Sequence, residues 1–127
     1  MSDNLYQEEL LEHYKYPKYR TTIPNPDFAG GDYNPSCGDR IAIQGTVRNG
    51  VVTAIGFSGS GCVISQAAAS MLTEAAMGKS VANVQKMTSD DIKAMIKIPL
   101  GPTRLKCALL SLYVLQQALN DYLAPKK

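Results

Sequence analysis

Two runs rich in β-branched residues, at 40–47 and 51–57, flank the dipeptide Asn49-Gly50. This combination is typical of an antiparallel β-hairpin. A two-residue loop would divide the apolar side chains of the two strands between opposite faces of the sheet. A three-residue loop over 48–50, with Gly50 left-handed, would pair Val47 with Val51 and keep those side chains together. We therefore predict the three-residue loop, with one apolar face formed by Ile41, Ile43, Val47, Val51, Ile55 and Phe57.

Helical patterns flank this hairpin on both sides. A short amphipathic helix is predicted to end before Pro17, and the stretch 17–38, which holds four of the seven prolines, favours a loop with a short strand around Phe28. After the hairpin, one helix is predicted to follow Cys62 and end at Gly78, and two short helices and a long final helix come next. Because helices follow strands instead of alternating with them, we predict an α+β fold in which a small antiparallel β-sheet of about three strands packs against several helices.

Length and charge narrow the classes of function. A chain of 127 residues is predicted to form a single domain, 1–127. The net charge of +2 is too small to make nucleic acid the expected partner, and no apolar run reaches the roughly 18 residues that cross a bilayer. The acidic start, without a basic segment and an apolar stretch, predicts a cytoplasmic protein with no membrane partner.

The three cysteines are the candidate metal-binding or reactive residues of the sequence. An odd number argues against a disulfide framework and favours free thiols or thiolate ligands in a reducing compartment. Cys37 lies in the loop before the hairpin, Cys62 opens a helix, and Cys107 lies in the first turns of the last helix, where the helix dipole and Lys106 are expected to lower its pKa. With Asp39 they would form a four-ligand set suited to zinc or iron. Buried cysteines that only fill the core are the alternative.

Five segments resemble a known family: 12–17, 34–41, 61–70, 78–79 and 104–108. Over nearly its whole length the chain is similar to the IscU/SufU family of iron–sulfur cluster assembly proteins, related to the N-terminal domain of NifU. The resemblance implies that four residues converge as ligands of zinc, or of an iron–sulfur cluster expected to be of the 2Fe-2S type: Cys37, Asp39, Cys62 and Cys107. It also implies a cysteine desulfurase as partner and downstream iron–sulfur acceptor or scaffold proteins as recipients.

The chain combines features of both branches of this family. Lys106 precedes the third cysteine, as in SufU-type proteins, where IscU-type proteins usually carry a histidine. The spacing between Cys62 and Cys107 leaves no room for the SufU-type insertion. The segment 98–104 also departs from the IscU proline motif that a specialised Hsp70 chaperone reads.

We therefore expect a scaffold and sulfur acceptor that receives persulfide sulfur, with Cys37 and Cys107 as the reacting thiols and Cys37 first. A zinc-dependent sulfurtransferase that relays sulfur without building a cluster is the runner-up, and a structural zinc module is the alternative of another class. The expected assembly is a monomer or a transient dimer, and a scaffold is expected rather than an enzyme.

The single histidine, His13, is expected to pack against the protein or face solvent. This expectation disfavours nucleophilic catalysis by a Cys-His pair.

Overall fold

The described residues form a three-stranded antiparallel sheet and five helices, two of which make most of the contacts with the sheet. The computed structural model describes residues 3–35 and 37–124, and the described side chains begin at Leu5. In chain order the elements are α1 (Asp3–Lys15), β1 (Phe28–Asn34), β2 (Asp39–Arg48), β3 (Val51–Ser60), α2 (Val63–Ala76), α3 (Val81–Gln85), α4 (Ser89–Ile96) and α5 (Pro102–Leu123). This is the α+β architecture predicted from the order of the strand and helix patterns.

The strands lie in the order β1-β2-β3, so each strand is bonded to its neighbour in sequence. Helix α5 packs on β1 and β2, α2 packs between α5 and β3, and α1 lies on α2. Close approach of α5 to the sheet depends on Gly30, where an added Cβ would meet that of Ala118 at 3.1 Å. The core is formed by the buried faces of the sheet and of α2 and α5, with Ile43, Leu72 and Leu115 fully buried.

The predicted three-residue hairpin loop is wrong. Arg48 pairs with Val51, so the loop is the two residues Asn49-Gly50, both with positive φ. The register shifts between Thr46 and Val47, which pair with Ala54 and Val52 and leave Thr53 as an extra residue in β3. Such a β-bulge restores the common apolar face that the loop was expected to provide. The buried apolar side chains on this hairpin are Ile41, Ile43, Val52, Ile55 and Phe57, so Val52 replaces Val51, and Val47 is half-buried against the same core.

Helix boundaries match the sequence signals. Ser80 caps α3 by accepting a hydrogen bond from the Asn83 amide, and Thr88 forms a capping box with Asp91 at the start of α4. Gly78, with φ +81°, follows the end of α2. Within the described ranges, none of the helices has the length and apolar character required to span a membrane.

Candidate metal centre

Three separate elements bring Cys37, Asp39 and Cys107 together. Their ligand atoms, two Sγ and a carboxylate oxygen, all lie within 4.8 Å of one another. Cys37 Sγ is 3.0 Å from Cys107 Sγ. Cys62 lies outside this group of three but adjoins it, since its Sγ is 3.6 Å from Asp39 Oδ2. The structure thus places all four residues predicted for the site at one end of the sheet.

Cys37 is held in the tight turn between β1 and β2. The amides of Cys37 and Gly38 both donate to the carbonyl oxygen of Asn34, at 3.3 and 2.8 Å. Asn34 Nδ2 also donates to Cys37 Sγ at 3.7 Å. Gly38 has φ +73°, a left-handed conformation that glycine adopts without the strain a Cβ would add. The turn leaves Cys37 half-buried.

Asp39, the first residue of β2, links the sheet to helix α2. Its side chain is 0% exposed, and its Oδ1 accepts the backbone N–H of Cys62 at 2.8 Å. Gly61 makes room for this contact, because a Cβ there would overlap Oδ1 and lie 2.8 Å from the Cα of Asp39. The φ of Gly61, +137°, is also one that other residues rarely adopt.

Cys62 is the N-cap of α2. Its Sγ accepts the backbone N–H of Ser65 at 3.4 Å, in the place that a serine or aspartate oxygen usually occupies. The unpaired amides at a helix N-terminus favour negative charge nearby. The carboxylate of Asp39 and the sulfur of Cys62 therefore both lie where the start of α2 stabilises anionic groups.

Cys107 lies in the second turn of α5 and is 2% exposed. Burial raises the pKa of its thiol well above the ordinary value, and hydrogen bonds with Cys37, Asp39 and Cys62 raise the pKa further. The predicted lowering of this pKa is therefore wrong. A helix dipole acts over the first turn only, Lys106 is exposed to solvent, and desolvation of the thiolate outweighs both.

A groove of about 520 Å³ opens beside the thiols. All three cysteines line it, and most of the remaining wall is apolar. Leu10 and Leu11 of α1 form one side, Val63 and Ile64 of α2 another, and Arg104 is the charged side chain of its described lining. The sulfurs are therefore reached through an apolar cleft that carries a cation at its edge.

The donor set fits a soft divalent metal. Thiolates are the ligands that zinc and iron–sulfur centres prefer, and one carboxylate completes four donors. Because a carboxylate is a harder ligand than a thiolate, it holds such metals less firmly, which suits a site that exchanges its contents. The chemistry of these side chains thus supports their predicted use as metal ligands.

His13 takes no part in this site. Its Nδ1 is 2.8 Å from Ser70 Oγ and 3.6 Å from Glu74 Oε2, so the ring helps to hold α1 on α2. Sequence reasoning missed two residues that shape the site, Asn34 and Arg104. Asn34 before Pro35 is a typical turn signal, but nothing in the sequence indicated that its amide reaches the sulfur of Cys37.

The fold and the site together define a class of protein: an α+β fold that gathers cysteine thiols and one carboxylate at one end of a small antiparallel sheet. The family model described as the NifU-like N terminal domain matches residues 5–127, and the chain belongs to that family.

Relatives on both branches of the family are similar to this chain. The zinc-dependent sulfurtransferase SufU of Bacillus subtilis is 33% identical, with 91% of this chain and 89% of SufU covered. The iron–sulfur cluster assembly scaffold protein IscU of Thermotoga maritima is 31% identical, with coverage of 95% and 96%. A crystal structure from Fervidobacterium islandicum, of a protein described as an iron–sulfur cluster assembly scaffold for the SUF system, shares the fold with a TM-score of 0.79 at 24% identity. That match covers 94% of this chain and 99% of the other.

Proposed function

We propose that this protein accepts sulfur from a cysteine desulfurase and uses Cys37, Asp39, Cys62 and Cys107 to assemble or deliver iron–sulfur clusters. The observation that carries the proposal is the convergence of a half-buried thiol, a buried thiol and a buried carboxylate within 4.8 Å, beside a third thiol and an open groove. Sequence similarity to SufU and IscU supports the same role. The cluster is its product, passed to downstream acceptor proteins in the cytoplasm.

The sulfur enters by thiol–persulfide exchange. The thiolate of Cys37 attacks the terminal sulfur of the desulfurase's cysteine persulfide, a new S–S bond forms, and the donor cysteine leaves as a thiolate. A zinc or iron ion held by the four residues would keep their thiols ionised at neutral pH. Cys37 lies in a turn that faces the groove and is more exposed than Cys107, so Cys37 is the first acceptor.

A zinc-dependent sulfur relay is the second candidate function. Two observations favour it: Lys106 stands before the third cysteine, and the similarity to the zinc-dependent sulfurtransferase SufU extends over 91% of the chain. In that case the same thiols would receive and pass on persulfide sulfur, and the cluster would form on another protein.

Anaerobic incubation with iron, cysteine and the cognate desulfurase distinguishes these functions. A visible spectrum of a protein-bound cluster, expected to be 2Fe-2S, with matching iron and sulfide content supports the scaffold. Tightly bound zinc with faster desulfurase turnover and no cluster supports the relay. If neither response is seen, a structural zinc module is the function that is left.

The ligand assignment has its own test. Cys37→Ser, Cys62→Ser and Cys107→Ser should each bind zinc with clearly lower stoichiometry or affinity in a competition titration. Undiminished zinc binding by all three variants would remove the proposed site.

The order in which the thiols receive sulfur is tested separately. Mass spectrometry of an alkylated, digested desulfurase reaction locates the first persulfide, and its appearance on Cys107 before Cys37 would reverse the order proposed above.

A further inference from the structure

The sulfurs of Cys37 and Cys107 are in direct contact. Their separation of 3.0 Å is shorter than the distance of about 3.8 Å between two thiolates that share one tetrahedral zinc ion at about 2.3 Å each. It is about 1 Å longer than an S–S bond of about 2.05 Å, so the two free thiols touch without being bonded. The arrangement therefore suits a reaction between the two sulfurs as well as joint binding of a metal.

The two thiols differ sharply in access. Cys37 is half-buried in the β1–β2 turn, whereas Cys107 is 2% exposed in α5. A persulfide carried by another protein reaches Cys37 first, because Cys107 is covered by its surroundings. Once Cys37 carries the extra sulfur, however, the sulfur of Cys107 already lies against Cys37 Sγ.

We propose that Cys107 resolves the persulfide formed on Cys37 and so releases sulfide inside the groove. This inference rests on the proposed function, since the persulfide on Cys37 must first arrive from a desulfurase. The thiol of Cys107 gives up its proton to solvent in the groove as its sulfur attacks Cys37 Sγ, an S–S bond forms between the two residues, and the bond to the outer sulfur breaks. That outer sulfur leaves as HS⁻ with its proton and the bonding electron pair.

The step balances without an added reductant. The outer sulfur gains two electrons and becomes sulfide, the form in which sulfur enters a cluster, and the sulfurs of Cys37 and Cys107 supply these electrons by forming a disulfide. An external dithiol must reduce that disulfide before the next round. Arg104 lines the same groove, and its guanidinium favours the departing anion.

The experiment uses the full chain, freed of metal by a chelator, under anaerobic conditions. It is mixed with cognate desulfurase that carries its persulfide and has been separated from free cysteine. Bimane alkylation measures free sulfide apart from protein persulfide, and peptide mapping without reductant locates any disulfide. The chain should release about one sulfide per persulfide received and acquire a Cys37–Cys107 link.

Variants at position 107 make the test specific. In Cys107→Ser the persulfide should accumulate on Cys37 while sulfide falls about tenfold, and Cys107→Ala provides the same test if the serine variant unfolds. Tyr113→Ser, on the same helix at a 57% exposed position, is the matched control and should release sulfide as the parent chain does.

Two results would overturn the inference while leaving the proposed function intact. One is a stable persulfide on Cys37 of the parent chain with no sulfide and no disulfide. The other is a disulfide that joins Cys37 to Cys62 or to a second chain. If no persulfide reaches any cysteine, the proposed function fails, and the inference that rests on it fails as well.

Discussion

Asp39 combines a structural and a chemical role in one side chain. Its Oδ1 accepts the Cys62 amide at 2.8 Å, while Oδ2 faces the sulfur of Cys62 at 3.6 Å. A buried amide that loses its acceptor costs about 1–3 kcal/mol. The same carboxylate is the hardest donor of the proposed site, so its removal affects both folding and cluster lifetime.

Two substitutions separate these roles. Asp39→Asn keeps an oxygen acceptor for the Cys62 amide, whereas Asp39→Ala removes it, so we expect the alanine variant to be less stable than the asparagine variant by about 1–3 kcal/mol in urea unfolding. Both lose the exchangeable carboxylate ligand, and a bound cluster should decay more slowly in both, as followed by visible absorption. Faster decay in Asp39→Ala would contradict the ligand role.

The buried thiol of Cys107 makes stability depend on pH. Burial raises its pKa in the folded chain above the value of about 8.5 for an exposed cysteine. Above pH ~8.5 the folded chain therefore retains a proton that the unfolded chain has lost, and the stabilisation that is complete below this pH declines as pH rises.

We expect the free energy of unfolding of the chelated, reduced chain to fall by up to about 1.4 kcal/mol per pH unit above pH ~8.5. In Cys107→Ala the free energy of unfolding should fall less steeply with pH, because this variant lacks the buried thiol. Urea unfolding of both chains at about pH 7.5, 8.5 and 9.5 measures it. Parallel pH dependences of the two chains would show that Cys107 does not cause the loss.

At the scale of elements, sequence patterns predicted which segments are strands and helices but not how the hairpin is aligned. The Asn49-Gly50 signal located the turn, and the apolar pattern required one common face. Two structures satisfy both requirements, a three-residue loop or a two-residue loop with a bulge, and the sequence does not distinguish them. The bulge at Thr53 is set by tertiary packing, which buries Val52 and leaves Val51 half-buried.

Helix α2 offers a matched pair of glycines, one at each end. Gly61 and Gly78 both have positive φ, but a Cβ would collide with Asp39 at Gly61 and meet open space at Gly78. We expect both alanine variants to lose about 1–3 kcal/mol of stability through backbone strain. Only Gly61→Ala should also weaken zinc binding, because it displaces a proposed ligand. Equal zinc affinities of the two variants in a competition titration would refute this link between Gly61 and the site.

At the scale of the whole molecule, the sequence predicts which residues form the candidate site but not the distances between them. The residues of the candidate site were identified because each stands at the boundary of an element and within a family-like segment. Their mutual distances depend on how α5 and α2 pack against the sheet, which no local pattern specifies. For the same reason the raised pKa of Cys107 was missed, since burial of a helix residue depends on the elements packed around it.

Helix α1 forms one wall of the groove, and its attachment is testable at two adjacent leucines. Leu10 is 4% exposed and packs in the core, whereas Leu11 is 42% exposed, and both line the groove. Leu10→Ala should cost about 2–5 kcal/mol, and Leu11→Ala should stay within about 0.5 kcal/mol of the parent chain. Urea unfolding gives both values, and equal losses would show that α1 does not dock through Leu10.

Metal binding should stabilise the molecule as a whole, because the proposed ligands come from the β1–β2 turn, strand β2 and helices α2 and α5. A ligand that binds only the folded chain adds about 2.7 kcal/mol when its free concentration is one hundred times its Kd. We expect zinc buffered at that level to raise the free energy of unfolding of the parent chain by this amount, and a chelator to reverse it. Equal stabilisation of Cys37→Ser, Cys62→Ser and Cys107→Ser at the same zinc concentration would show that zinc binds elsewhere.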